Sequence, residues 1–167
     1  MSKEKVVLTG PFEDVIEKNK HLYIVHKLDT ICVIPYTIAG NGILDNVGVI
    51  KEDNLYKLLT GYVTADDGTN LVAANRILFD VIQSNVKGAD NWMYLGKLEN
   101  ISGGDITLYA VNIGDVTVKP TPDSEDQEQA SKFEMIRANE VVSSDDALFL
   151  AAYLRLFNYF YVNSLKS

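Results

Sequence analysis

From 70 to 86 the chain carries one apolar stripe at helical spacing, and the segments on either side read as short strands. Leu71, Ala74, Leu78, Val81 or Ile82, and Val86 recur close to every 3.6 residues, so one helix face is apolar and needs a partner surface. Thr69 or Asn70 supplies a capping oxygen at its start, and Lys87-Gly88 supplies a stop. Before it, Lys5–Thr9, His21–His26, 31–38, 43–50 and 58–64 are rich in β-branched and aromatic residues, as strands are. Leu28-Asp29-Thr30 reads as a tight turn, and Gly40-Asn41-Gly42 tolerates the positive φ that a hairpin requires. Residues 11–20 read as polar with a helical turn, and 51–57 as a polar connection. After the helix, Trp92–Leu98 and 105–113 resume the strands across Ser102-Gly103-Gly104; 115–119 continues the sheet and 132–137 adds a late strand. Ser143-Ser144-Asp145-Asp146 then opens a long helix, at about 144–163, whose free N–H groups those side chains can cap. Strands, helix, strands, helix with short hairpins predicts an α/β protein of the α+β type: a mixed sheet flanked by helices, in a single domain over 1–167.

Charge and cysteine content narrow the function classes. Fifteen basic residues stand against 23 acidic ones, a net charge of −8, which excludes general affinity for nucleic-acid backbones. Cys32 is the lone cysteine and lies in the apolar run Ile31-Cys32-Val33-Ile34, so it reads as a buried, inert thiol. A chain without disulfides is expected in the cytoplasm or another reducing compartment. No secretory signal and no run long enough to span a membrane is read, so no membrane partner is expected. Residues 120–129, with Asp123, Glu125, Asp126 and Glu128 and no large apolar side chain, read as an exposed acidic loop. His21 and His26 are an odd number of strand positions apart and would point to opposite faces, a poor spacing for a metal.

Specific residues within this order resemble the Nudix hydrolases. That family's signature is G-x5-E-x7-R-E-U-x-E-E-x-G-U, with U a bulky aliphatic residue, and it forms a loop, a helix and a turn. Gly61-Tyr62-Val63-Thr64-Ala65-Asp66-Asp67-Gly68 is similar to the family's loop. Leu71-Val72-Ala73-Ala74-Asn75-Arg76-Ile77-Leu78 is similar to its E-E-A-A-x-R-E-L. Asn91-Trp92-Met93-Tyr94-Leu95-Gly96 resembles the strand after the box. Phe133-Glu134-Met135-Ile136, continuing to Asp146-Ala147, resembles the last strand and terminal helix. The resemblance covers roughly 22–156 and implies the Nudix fold.

In the family the helix glutamates hold Mg²⁺ or Mn²⁺ against the diphosphate of a nucleoside diphosphate derivative. Here the loop glutamate position carries Gly68, the glutamate after the arginine is Ile77, and the paired glutamates are Asp80 and Val81. The box glycines fall at Tyr62 and Gln83. Arg76, Leu78 and the acidic Asp80 survive. A hard divalent cation needs oxygen ligands, and one aspartate is a poor substitute for a set of glutamates. The expectation is a catalytically inactive Nudix-like domain with no catalytic residues, no metal and no cofactor. It would act as a structural or protein-interaction module that binds, at most, a nucleotide-type ligand through Arg76, Asp80, Asp67 and Trp92. The bland readings stand beside these: Asp80 as a solvated carboxylate, Arg76–Asp80 as an i,i+4 pair, Asp66 and Asp67 as turn residues, Trp92 and Tyr94 as core. The alternative is a Mg²⁺- or Mn²⁺-dependent pyrophosphohydrolase of ADP-ribose or nucleotide-sugar type using Asp67, Asp80 and Glu128. The last helix is apolar on more than one face. Leu148, Ala151, Ala152, Leu156 and Tyr159 are assigned to the sheet; Phe149, Tyr153, Phe157, Phe160 and Tyr161 are left for a homo-oligomer or an assembly partner.

Overall fold

The computed structural model describes residues 5–9, 13–26, 28–99, 104–119 and 128–166. Strand β4 (Thr30–Ile38) organises the main sheet because both of its faces are buried, so it reads as a nearly unbroken apolar run. Cys32, Ile34 and Tyr36 point into one core; Ile31 and Val33 point into the other. On one side β4 pairs in parallel with β9 (Ile106–Asn112), from Thr30 opposite Ile106 to Tyr36 opposite Asn112. A parallel pair needs a crossover, and that crossover contains helix α1 (Asn70–Ile82). On its other side β4 changes partner. Its first half pairs with β7 (Leu59–Tyr62), and its last residues pair with β5 (Leu44–Glu52). Pro35 lies between those two stretches, so the strand lacks an N–H where neither neighbour asks for one.

Strand β6 (Leu55–Lys57) folds back on β5, β8 (Trp92–Leu98) pairs with β9, and β10 (Phe133–Arg137) pairs with β5. The seven-stranded order is β10-β5-β4-β9-β8, with β6 on β5 and β7 on β4. A separate antiparallel sheet joins β1 (Lys5–Thr9), β2 (Glu13–Lys18) and β3 (His21–His26). Helix α1 covers one face of the main sheet through Ala73, Ala74, Ile77, Leu78, Val81 and Ile82. Helix α3 (Ala147–Lys166) covers the other through Phe149, Ala152, Tyr153 and Leu156. A one-turn helix, α2 (Glu128–Ser131), precedes β10. The fold class is therefore the expected mixed sheet between helices. Among the described residues no helix is long and apolar enough to cross a membrane.

Several local expectations are corrected. Residues 13–18 form a strand, not a helical turn, because Asn19 and Lys20 both take positive φ and close a tight hairpin onto β3. Residues 51–57 are not a plain connection: β5 runs on to Glu52 and turns back into β6, with Lys57 paired to Glu52 across the hairpin. Residues 115–119 leave the sheet; Lys119 N–H bonds Ile82 O and Ser84 Oγ donates to Thr117 O, tying the segment to the end of α1. Thr69 caps α1 as expected, but the helix stops at a left-handed Gln83 instead of at Lys87-Gly88. The terminal helix begins at Ala147, not 144, where the Asp146 carboxylate accepts from Phe149 N–H at 2.7 Å. Of the acidic loop, 120–127 lies outside the described residues, and Glu128 begins α2.

The largest correction concerns the aromatics assigned to an outer surface. Phe149 is wholly buried between Tyr56 and Tyr153, and the Tyr153 hydroxyl donates to Ala138 O at 2.9 Å. Phe160 is half-buried, edge-on to Tyr36. Of the five, Phe157 and Tyr161 are exposed. Tyr159, assigned to the sheet, is exposed as well. The sheet fills the space that sequence periodicity alone left open.

Candidate functional site: the β7–α1 loop and the inner face of α1

The loop from β7 into α1 is held by one buried carboxylate. Asp67 Oδ1 accepts from Arg76 Nε, and Oδ2 accepts from Arg76 Nη2, both at 2.8 Å. Oδ2 also accepts from Thr64 N–H at 2.7 Å and Thr64 Oγ1 at 2.9 Å. The Asp67 side chain is only 3% exposed, so these donors replace the water it has lost. The Arg76 hydrogen bonds hold its carboxyl far below the usual carboxylate range, against the upward pull of burial and with help from Thr64. Arg76 Nη2 makes a further bond to Tyr62 O at 2.8 Å. Two ends of the loop and the second turn of the helix are thereby locked together. Gly68 follows at φ +68°, a left-handed position that suits glycine, and Thr69 then caps the helix.

The positions matched to family glutamates do not line a polar cleft. Ile77 and Val81 are both buried in the core between α1 and the sheet. Ile77 lies directly on Gly61: a Cβ there would come within 2.7 Å of Ile77 Cγ1, so the close approach requires glycine. Asp80 is exposed, with its carboxylate 4.0 Å from Arg76 Nη1, the weaker of that arginine's two ion pairs. Gln83, at a box glycine position, takes the left-handed cap at φ 52° and donates its N–H to Phe79 O. The helix therefore ends in a left-handed turn without a glycine.

Arg76, Asp67 and Asp80 lie together, and the principal pair is Arg76–Asp67, not the i,i+4 pair of Arg76 with Asp80. Trp92 lies elsewhere, on edge strand β8, half-buried on the α1 side and edge-on to Tyr109. Tyr94, an exposed neighbour, also packs on Tyr109. Cys32 is buried, and burial pushes its thiol up to about 12, as an inert core thiol requires. Sequence reasoning missed Gln129. Its amide accepts from Thr60 N–H at 3.0 Å and donates to Thr60 O at 2.9 Å, imitating a strand on β7 from 69 residues away. No short-range pattern signals such a contact.

These residues do not fit a family-type divalent metal. Asp67 already accepts four hydrogen bonds, Asp80 is exposed beside Arg76, and Ile77 and Val81 offer no oxygen. Among the described residues no three His, Cys, Asp or Glu side chains converge.

No protein-family model matches the chain, and no curated protein matches it by sequence. Solved structures do match it in shape. A crystal structure of an ADP compounds hydrolase is similar over 96% of this chain and 93% of its own, with a TM-score of 0.62 and 13% identity. A protein from Listeria monocytogenes assigned as a NUDIX hydrolase is similar over 81% of this chain and 95% of its own, with a TM-score of 0.59 and 11% identity. A MutT/nudix family protein from Enterococcus faecalis matches 66% of this chain and 44% of its own greater length, with a TM-score of 0.51 and 13% identity. Identities this low carry the fold alone. Helix α1 entered through the capped loop after β7, the parallel β4–β9 pair and the covering α3 together give this chain a Nudix-like fold.

Proposed function

We propose that this chain is a catalytically silent Nudix-like domain that works by binding, as a structural or protein-interaction module. The observation that carries the reading is the burial of Ile77 and Val81 where metal-holding glutamates would stand. A divalent ion neutralises diphosphate charge and activates water only where oxygen ligands hold it. Two aliphatic side chains packed into the sheet hold nothing. Asp67 adds to the case, because its carboxylate is spent on Arg76 and Thr64 and a metal would have to displace four hydrogen bonds. Arg76 is equally committed to Asp67 and Tyr62, which weakens the support for a nucleotide diphosphate seated on it. What is left for function is surface, and the exposed apolar residues of α3 are the part of that surface richest in contact-forming side chains.

The test is hydrolysis of ADP-ribose, nucleotide sugars and dinucleoside polyphosphates with Mg²⁺ or Mn²⁺ in excess. The expected result is no turnover above the metal-only blank. Metal-dependent turnover that disappears in Asp80→Ala would overturn the reading and establish the pyrophosphohydrolase alternative.

A further inference from the structure

Helix α3 carries two apolar stripes, and the sheet uses one. Phe149, Tyr153, Leu156 and Phe160 run at spacings of four, three and four residues and face the core. Leu150, Leu154, Phe157 and Tyr161 repeat the same spacing one residue later, and Leu165 extends the line. On this second stripe Leu154 is 60% exposed, Phe157 46%, Tyr161 54% and Leu165 70%. Alternating three- and four-residue spacing is the seam along which one helix packs on another. We infer that the second stripe of α3 is the contact by which two copies of this chain pair, helix against antiparallel helix, about a twofold axis beside Phe157. The inference rests on the interaction-module reading and names its partner.

Three observations select a second copy. The first is symmetry. A twofold contact must be self-complementary. An antiparallel crossing centred between Phe157 and Asn158 sets Leu154 against Tyr161 of the partner subunit and Leu150 against Leu165 of the partner subunit, apolar on apolar along about 22 Å of helix. The second is charge. The chain has 23 acidic residues and a net charge of −8, so most faces of two copies repel. Helix α3 has no aspartate or glutamate in its 20 residues and carries Arg155 and Lys166. Two copies can approach on this face without opposing carboxylates on the helix. The third is shape. Beside the stripe lies a hollow of about 330 Å³ walled by Ile43, Leu44, Tyr153, Phe157, Phe160 and Tyr161. A concave apolar wall flanking an exposed seam receives a projecting side chain from a facing helix.

Sedimentation of the full chain from micromolar to millimolar concentration tests this, with circular dichroism confirming that each variant is folded. The wild type is expected to sediment as a concentration-dependent dimer. Leu154→Glu and Tyr161→Glu should each weaken the dimer at least about tenfold, because each leaves a charge facing an apolar partner. Tyr159→Glu, an exposed position on another side of the same helix, should leave it intact. A wild type that stays monomeric throughout, or a dimer indifferent to both stripe variants, would overturn the inference and assign the stripe to some other occupant. The hydrolysis assay is independent of these outcomes. An inactive monomer removes the dimer and leaves the silent-domain reading standing; an active dimer does the reverse.

Discussion

Asp67 shows how a residue with an ordinary local reading takes a specific role once the chain is folded. In the sequence it is one of two adjacent aspartates before a glycine, which any turn explains. In the structure it is the buried acceptor of a two-pronged arginine, a geometry that hydrogen-bonds both carboxylate oxygens at once. Asp67→Asn is expected to destabilise the domain by about 1.5–3 kcal/mol in urea unfolding at neutral pH, the usual range for a hydrogen bond to a charged group. The pH dependence follows from the direction of its shift. Because the folded-state pKa is depressed, the contribution is fully present above the unfolded value of about 3.9 and is lost as pH falls toward the folded value. The stability gap between wild type and Asp67→Asn should therefore be constant from neutral pH down to about 5 and shrink below 4. A gap that widened in acid would contradict the assignment. Ile77 sets the complementary case. Ile77→Glu would bury an unpaired carboxylate against Gly61, and a loss of about 3 kcal/mol or more, or outright unfolding, is expected. Asp80→Ala, at an exposed position, should stay within about 0.5 kcal/mol of wild type in the same measurement.

The two long helices meet the sheet on different terms. Helix α1 is an ordinary amphipathic element: capped by Thr69, closed by a left-handed Gln83, and buried along one face. Its boundaries are set by backbone hydrogen bonding at the caps, which explains why a stop was expected five residues too late. Helix α3 is apolar on two adjacent faces, and periodicity cannot say which face the sheet takes. Packing supplies the answer, with Phe149 and Leu156 fully buried and Phe157 exposed. Truncation should separate the two stripes. Phe149→Ala is expected to cost about 3–5 kcal/mol in chemical denaturation, and Phe157→Ala less, since the second ring is already 46% exposed in the folded chain. The cap has its own signature: Asp146→Ala should cost about 1 kcal/mol by removing the acceptor for Phe149 N–H. Equal costs for Phe149→Ala and Phe157→Ala would show that the two stripes are not distinguished as described.

For the whole molecule, a Nudix-like fold packs Ile77 and Val81 into its core, two of the positions matched to family glutamates, while Gly68 and Asp80 stay exposed. Sheet, crossover helix and covering helix need apolar residues at fixed periodicities, and Ile31, Val33, Leu78 and Leu156 are among those that supply them. A fold can host different functions because its frame and its site make separate demands on sequence. Here Ile77 and Val81 serve the frame. The loop carries a carboxylate–arginine lock between Asp67 and Arg76 that positions backbone, and Asp80 is the exposed acid of the helix.

By itself the sequence determined the fold class, the capped start of α1, most of the strands, the Gly40-Asn41-Gly42 turn and the inert thiol at Cys32. Each depends on short-range periodicity, turn chemistry or composition, and short stretches of chain carry that information. Only the tertiary structure decided that Arg76 turns to Asp67 nine residues earlier in preference to Asp80 four residues on, that Gln129 closes the edge of β7 at Thr60, and that Phe149 and Tyr153 belong to the core while Phe157 and Tyr161 face outward. The physical reason is common to all three. Each outcome is a choice between partners of similar local merit, settled by which one the folded chain brings within hydrogen-bonding or van der Waals distance.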